Sequence, residues 1–204
     1  SNKGNSDYKN FEFEIITSFS MTAPISEEQF LETPESELTY NLYDALLKHY
    51  QEKTELNAQM AFPVIKDVYE RPGNKFERIV VSFTDGVKSL NVVTNLKEAY
   101  ESKGKHLIED FERNITLAII DEAWKDHVRK MDELKQSVQL AVHEQKDPLL
   151  IYKFEAFELF KNMLSQLNKE VLSFLIKGSL PSQSPSSIQE ATKIRSKQNL
   201  NVSK

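Results

Sequence analysis

Residues 105–177 read KHLIEDFERNITLAIIDEAWKDHVRKMDELKQSVQLAVHEQKDPLLIYKFEAFELFKNMLSQLNKEVLSFLIK, and this stretch decides the fold. Apolar side chains recur in both halves, mostly at three- and four-residue steps, which is the spacing of one helix face. In the first half they are Ile108, Phe111, Ile115, Ala118, Ile119, Met131, Leu134, Val138 and Ala141. In the second half they are Phe154, Phe157, Phe160, Leu164, Leu167, Val171 and Phe174. The sequence therefore predicts two long helices that share one apolar seam.

The two predicted helices are separated by a short corner, EQKDP at 144–148. Asp147 is suited to capping the free amides of a helix start, and Pro148 is suited to the first helical position. So few residues remain for the turn that the helices are expected to be antiparallel neighbours. We call this predicted pair the finger (105–177), with Asp147 and Pro148 at its corner.

Composition limits the function classes. The chain has 204 residues, of which 39% are hydrophobic and 28% charged, as in a soluble globular protein of one or two domains. Cysteine is absent, which excludes disulfides and thiolate metal sites. No apolar run is long enough to span a membrane, and the start lacks the layout of a secretory signal, so we expect a cytosolic setting. A net charge of −5 argues against nucleic acid as a partner.

Residues 1–9 are polar and are predicted to be disordered or part of a tag. Residues 11–19 fit a strand by alternation and a helix by four-residue spacing, and the helical setting favours a helix. Ser26 with Gln29 forms a capping box, which predicts a short helix to about Leu31. Thr33 and Pro34 are predicted to open the next helix, at 34–57 or beyond, with Pro63 as a kink or a restart.

One β-hairpin is predicted at about 76–93, because two β-branched and aromatic runs flank Asp85 and Gly86. Asn95 with Glu98 is a second capping box, for a helix that starts at Leu96, and Gly104 divides this helix from the finger. Residues 178–204 are rich in serine and proline and are predicted to be a disordered linker. The fold class is thus mainly α: a long antiparallel two-helix finger packed with a helical domain that carries one hairpin.

Catalytic chemistry is not indicated by this chain. It has no glycine-rich phosphate loop and no HExxH zinc motif. Asp121, Glu122 and Asp126 resemble paired carboxylates, but cationic side chains lie within one helical turn of them, which favours ordinary ion pairs. Trp124, the one tryptophan, is interpreted as an interhelical or interdomain anchor because its ring buries a large area.

Residues 120–177 resemble the two-helix finger of SecA, the motor ATPase of bacterial preprotein export. The matching residues are Asp121, Trp124, Lys125, Asp126, His127, Met131, Asp132, Leu134, the corner 145–148, Tyr152, Lys153, Glu155 and the run FELF at 157–160. The resemblance implies a helical wing domain at 10–104 and a helical scaffold finger at 105–177. Because the common form of the wing is mostly helical, the hairpin resembles an insertion.

The resemblance also implies a function. In this family the fingertip touches the translocating polypeptide and the SecYEG channel, which assigns this contact to Val142, His143, Glu144, Gln145 and Lys146. Many members have Arg-Gly-Tyr before the corner, where this chain has Ala141, Val142 and His143. The nucleotide-binding domains of the family, which use ATP and Mg, are missing. The chain therefore resembles a C-terminal fragment that is not itself an enzyme and holds no cofactor.

The expected partners follow from the parent protein. They are the SecYEG channel, unfolded preprotein, the missing motor domains and, through the parent, an anionic membrane surface. The expected location is the cytoplasm and the cytoplasmic face of the inner membrane. We further expect an exposed apolar strip around Ile115, Ile119 and Trp124, where the motor docks and through which the fragment self-associates. The alternative is a free-standing helical adaptor or chaperone-like module; an unrecognised enzyme is a remote third reading.

Overall fold

The structure is a computed structural model that describes residues 5–73, 75–140, 147–181 and 188–190. It is mainly α-helical, as the sequence predicts, with helices α1 Asn5–Phe19, α2 Glu27–Glu32, α3 Glu35–Glu70, α4 Leu96–Glu101, α5 Lys105–Leu140 and α6 Pro148–Lys177. One small sheet is formed by strands β1 Arg78–Thr84, β2 Ser89–Asn95 and β3 Ile188–Glu190. Two compact units are present: unit 1 within Ser1–Asn114 and Ser173–Lys204, and unit 2 within Ile115–Leu172.

Helices α5 and α6 each contribute to both units. Residues 105–114 of α5 and 173–177 of α6 belong to unit 1, and the remainder of each helix belongs to unit 2. The boundaries inferred from the sequence, at 104/105 and 177/178, stay predictions. We describe each unit separately.

The first two helices of unit 1 pack through aromatic rings. Segment 11–19 is part of α1 and is not a strand, so the preference for a helix is confirmed. Because α1 begins at Asn5, the prediction of disorder or a tag at 1–9 is wrong for 5–9, and 1–4 lie outside the described residues. The ring centroids of Phe11 and Phe30 lie 5.1 Å apart, and Tyr8 donates a hydrogen bond to the carbonyl of Ile25. The capping box at Ser26 is present in both directions, with Gln29 N–H donating to Ser26 Oγ and Ser26 N–H donating to Gln29 Oε1.

The long helix α3 differs from its prediction at its N-terminal end. Its N-cap is Pro34 and not Thr33, because Thr33 ends α2, where its N–H donates to the carbonyl of Gln29. Its C-terminal end is Glu70, which agrees with the prediction of 57 or beyond, and it continues through Pro63 as one helix. Proline removes one hydrogen bond of the helix ladder. Burial of Ala61 and Ile65 on either side of Pro63 offsets that cost, so the helix neither stops nor restarts there.

The predicted hairpin is confirmed, with β1 and β2 paired antiparallel from Thr84↔Ser89 to Arg78↔Asn95. Its turn follows from local chemistry. Gly86 has a φ of +93°, which glycine adopts without strain, and the Asp85 carboxylate accepts hydrogen bonds from the amides of Val87 and Lys88.

The sheet has a third strand, which the sequence did not predict. Strand β3 pairs antiparallel with β1, so the order is β2-β1-β3, and Ser179 also forms a bridge with Thr84. The prediction of a disordered linker from 178 onward is therefore wrong for 178–179 and 188–190. Polar composition gave no sign of this pairing, because strand addition uses backbone groups that every sequence carries. The rest of the predicted linker, 182–187 and 191–204, lies outside the described residues.

The junction before the finger has the predicted cap at Asn95 and the predicted break at Gly104. Asn95 caps α4 by accepting hydrogen bonds from the amides of Lys97 and Glu98. Gly104 separates α4 from α5 and has a φ of +90°. A Cβ at this position would lie 2.6 Å from the carbonyl oxygen of Ala58 on α3. Only glycine allows the chain to pass this close to α3 and then enter α5.

The core of unit 1 lies between the sheet, α3 and the ends of α5 and α6. Its members are almost fully removed from solvent, and burying each large apolar side chain contributes about 1.5–3 kcal/mol before entropy is subtracted. They are Ile65, Ile79, Val81, Phe83, Val92, Leu96, Leu107, Phe111 and Phe174. The hairpin is thus an integral part of this core.

Candidate functional site on the helix pair

The corner of the helix pair has the predicted chemistry. The Asp147 carboxylate accepts hydrogen bonds from the amides of Leu149 and Leu150, at 2.9 and 3.4 Å, and α6 begins at Pro148. Helix α5 ends at Leu140. The predicted fingertip residues Val142, His143, Glu144, Gln145 and Lys146 lie outside the described residues. Their assignment stays a prediction.

The two helices are antiparallel. Phe111 on α5 lies beside Phe174 on α6, with ring centroids 6.4 Å apart, and further along α5 His127 lies 5.9 Å from Phe160. Contacts therefore move backward along α6 as they move forward along α5. The prediction of an antiparallel pair is confirmed for the described residues, and the predicted turn before Asp147 lies outside them.

The seam of unit 2 is only partly where the spacing placed it. On α5 the predicted residues Ile115, Ile119, Leu134 and Val138 are buried, and His127 joins them. On α6 the predicted residues Phe154 and Phe157 are 65% and 61% exposed, and Phe160 and Leu164 are also exposed. The partly buried face of α6 instead carries Ala156, Leu159, Met163 and Leu167. The predicted seam of α6 is therefore wrong before Leu167.

The cause of this error is that α6 is apolar on two faces. Residues 156, 159, 163 and 167 recur at helical spacing, as do 150, 154, 157 and 164, so periodicity alone cannot decide which face turns inward. The prediction chose the face with Phe154 and Phe157 because its side chains are larger. In the structure the face that carries Ala156 and Leu159 is the partly buried one. The larger ones remain as an exposed apolar face.

An aromatic cluster marks the middle of unit 2. His127 is buried between Trp124, at 5.7 Å between ring centroids, and Phe160, which meets it edge-on. Its Nδ1 is buried without a hydrogen-bond partner among the described residues. Both neighbouring rings remain largely exposed, with Trp124 at 53%. His127 is thus held by ring packing.

The exposed strip that we expected on α5 exists, but two of its predicted members are wrong. Ile115 and Ile119 are buried in the seam, whereas Trp124 is exposed as predicted. The residues exposed beside Trp124 are Leu117, Ile120 and Val128. We call these four side chains the outer strip. Their spacing of three, four and four residues places them on one helix face with Trp124. The prediction, which named Ile115 and Ile119, did not use this spacing.

Carboxylates near Trp124 form ion pairs, as predicted. Asp121 pairs with Lys125 on the next turn, and Asp126 pairs with Lys130 at 2.7 Å and with Arg129 at 3.6 Å. The hydrogen bond from Lys130 is the main cause that lowers the pKa of Asp126. Exposed pairs of this kind contribute little to stability. The geometry is that of a solvated helix face.

Across 5–73, 75–140, 147–181 and 188–190, no group of three acidic or histidine side chains is arranged to hold a metal ion. Within the same ranges, no helix combines the length and the hydropathy needed to cross a bilayer.

Comparison with known proteins gives a consistent result. The family model described as SecA Wing and Scaffold domain matches residues 1–179. A protein translocase subunit SecA from Flavobacterium psychrophilum is 64% identical over 203 residues, which is 100% of this chain and 18% of that protein. The protein of the same name from Christiangramia forsetii is 62% identical over the same share. The one from Bacteroides fragilis is 42% identical over 92% of this chain and 17% of its own length.

Proposed function

The chain belongs to the SecA wing and scaffold domain family, and from that premise we propose that it is the finger-and-wing part of a SecA motor for bacterial protein export. In this proposal the finger contacts the preprotein and the SecYEG channel, and it couples ATP-driven motion to translocation. The chain spans 18% of the length of its relatives from Flavobacterium and Christiangramia. ATP and Mg are bound by other parts of such a protein.

The observation that carries the proposal is the antiparallel helix pair with its capped corner. Helix α5 has 36 residues, so at about 1.5 Å per residue it extends about 54 Å. A single helix of this length bends, whereas two helices that share a buried seam resist bending. A paired-helix segment with a capped corner suits contact inside the mouth of a channel.

The fingertip is assigned to Val142, His143, Glu144, Gln145 and Lys146, between the described end of α5 and the cap at Asp147. A tip that touches many different polypeptides should form mixed and shallow contacts. These five side chains offer one aliphatic group, one planar ring, one amide and both signs of charge. Many members of the family have a tyrosine at this position. His143 also has a planar ring, and unlike tyrosine it can gain a positive charge.

The outer strip is the proposed docking surface for the motor domains, with Trp124 as its anchor. Large apolar side chains grouped on one face of a helix usually mark an interaction surface. Aromatic anchors contribute most to such interfaces. Since most of a SecA protein lies outside this chain, the occupant of the outer strip is proposed to be a segment of the same polypeptide. No observation favours the free-standing adaptor over this arrangement.

The proposed location is the cytoplasm and the cytoplasmic face of the inner membrane, with peripheral attachment through the parent protein and its anionic lipid contacts. The nucleotide sites belong to other domains in this proposal, so the 204-residue chain alone should not turn over ATP. Hydrolysis above background by a pure sample of this chain would contradict that assignment.

The fingertip assignment is tested by His143→Ala in the full-length protein, with Val87→Ala as a matched control. Val87 is an exposed aliphatic residue at the hairpin turn. We expect His143→Ala to slow preprotein transport several-fold while the melting temperature stays near that of the wild type. Val87→Ala should change neither quantity. Transport and melting temperature falling in parallel for His143→Ala would assign it a structural role.

A further inference from the structure

The hairpin contacts the ends of both long helices within unit 1. Phe83 on β1 is fully buried, and its ring centroid lies 4.4 Å from that of Phe111 on α5. Phe111 in turn lies beside Phe174 on α6. One side chain of the hairpin thus packs against α5, and through Phe111 it supports α6. We call residues 105–114 and 173–179 the roots of the finger.

Backbone hydrogen bonds join the same hairpin to the chain directly after α6. The amide of Thr84 donates to the carbonyl of Ser179, and the amide of Ser179 donates to the carbonyl of Thr84, both at 2.9 Å. Thr84 is the residue next to Phe83. The end of β1 therefore holds α5 by a ring and the exit of α6 by two main-chain bonds.

Gly178 shows how closely these parts fit. A Cβ at this position would lie 2.7 Å from Cζ of Phe111 and 2.7 Å from the carbonyl oxygen of Phe174. The chain that leaves α6 is therefore in contact with the Phe111 ring, against which Phe83 packs. The two roots are therefore closely packed against each other, with no room for an added methyl group at Gly178.

Helix α3 completes the attachment. Asn57, which is buried, donates from Nδ2 to the carbonyl of Gly178 at 3.1 Å, and Lys53 Nζ donates to the carbonyl of Lys177. Burial lowers the pKa of Lys53. These donors satisfy carbonyls that the end of a helix leaves without partners, and a cation is favourable there. The exit of α6 is thus fixed by β1, α3 and α5 together.

We propose that the hairpin is a clamp on the finger, in which Phe83 is the positioning residue that holds both roots to the wing. Force on the finger then reaches the wing through Phe83, Thr84 and Ser179. The inference rests on the proposed function, since it gives a task to a helix pair that acts as a finger. It also assigns a function to the hairpin within a mostly helical wing. The C-terminal end of α6 and the N-terminal end of α5 lie side by side, and β1 contacts both of them.

The test uses the full-length protein with Phe83→Ala and Phe83→Leu, and with Val87→Ala as the control on the same hairpin. Two quantities are measured: hydrogen exchange of the root segments, and ATP consumed per preprotein transported. We expect Phe83→Ala to speed exchange in both roots by about tenfold and to raise ATP consumption per transported chain several-fold. Phe83→Leu, which refills most of the space, should fall between Phe83→Ala and the wild type. Val87→Ala should match the wild type.

The coupling ratio separates a clamp from mere stability, because a destabilised protein loses hydrolysis and transport together. Faster root exchange with an unchanged coupling ratio would overturn the proposal, and so would unchanged root exchange in a folded Phe83→Ala protein. If Phe83→Ala does not fold, Asn57→Ala removes one root hydrogen bond and should shift both quantities in the same direction. Unchanged preprotein transport in the His143→Ala protein would count against the proposed function. It would not count against the clamp.

Discussion

Two phenylalanines on α6 give the sharpest test of how the helix pair is built. The spacing of the sequence places Phe157 and Phe174 on one seam, but the structure buries Phe174 and leaves Phe157 61% exposed. The two alanine variants remove the same atoms from the same helix. Their effects on the free energy of unfolding should therefore differ through burial alone.

The expected magnitudes follow from this contrast. Truncating a buried phenylalanine costs about 3–5 kcal/mol, since the ring loses its contacts and leaves a cavity. Phe174→Ala should lose this amount, because its ring packs against Phe111 in the unit 1 core. Phe157→Ala should change stability by about 0.5 kcal/mol or less, as exposed substitutions do. For a chain of this length the first value corresponds to a fall of about 6–20 °C in melting temperature.

The assay is urea unfolding of the 204-residue chain, followed by circular dichroism at a helix-sensitive wavelength, with thermal melts in parallel. Similar slopes against urea would show that the variants unfold from comparable states. Equal destabilisation by Phe157→Ala and Phe174→Ala would refute the reasoning. It would mean that the exposed face of α6 is a buried seam in solution.

Three further outcomes are expected. Asp147→Ala should cost about 0.5–2 kcal/mol and speed amide exchange at Leu149, while Asp147→Ser should retain most of the cap; no change in exchange would remove the cap from the account. Trp124→Ala should weaken concentration-dependent self-association of the isolated chain in sedimentation equilibrium, and undiminished association would place the contact elsewhere. Lys130→Met should raise the pKa of Asp126 toward its usual range in an NMR titration. Because the pKa of Asp126 is lowered by folding, its stabilisation is present above the unfolded value and is lost in acid, so the two proteins should become more alike as pH falls.

Local chemistry explains what could be predicted from the sequence. Capping at Ser26, Asn95 and Asp147, the turn at Gly86 and the break at Gly104 each depend on a few consecutive residues, and the structure confirms all of them. At a cap the side chain accepts hydrogen bonds from neighbouring backbone amides, and at a glycine the backbone can adopt a positive φ. Neither effect depends on the rest of the fold. The corner of the finger belongs to this class.

The failures have the opposite character, because each depends on a distant partner. Strand β3 forms because the edge of β1 has backbone groups available for pairing. The sequence of residues 188–190 alone does not indicate this pairing. Of the two alternatives predicted at Pro63, a kink or a restart, the restart is wrong, because residues on either side are buried and α3 continues. The inward face of α6 is selected by α5, which accepts Leu159 and not Phe157. Tertiary packing decided each case over local preference.

The apolar faces left over on unit 2 imply a second set of contacts. A helix that is apolar on two faces needs two partners, and the seam supplies one for α5 and one for α6. The outer strip on α5 and the exposed phenylalanines on α6 remain, in a chain that spans 18% of its relative from Flavobacterium. We therefore expect Trp124 to be buried in the full-length protein. A full-length variant with Trp124 as its one tryptophan should emit at shorter wavelength than this chain alone, and a fluorescence quencher should reach it less readily. Identical emission and quenching in the two proteins would show that the outer strip faces solvent in the motor as well.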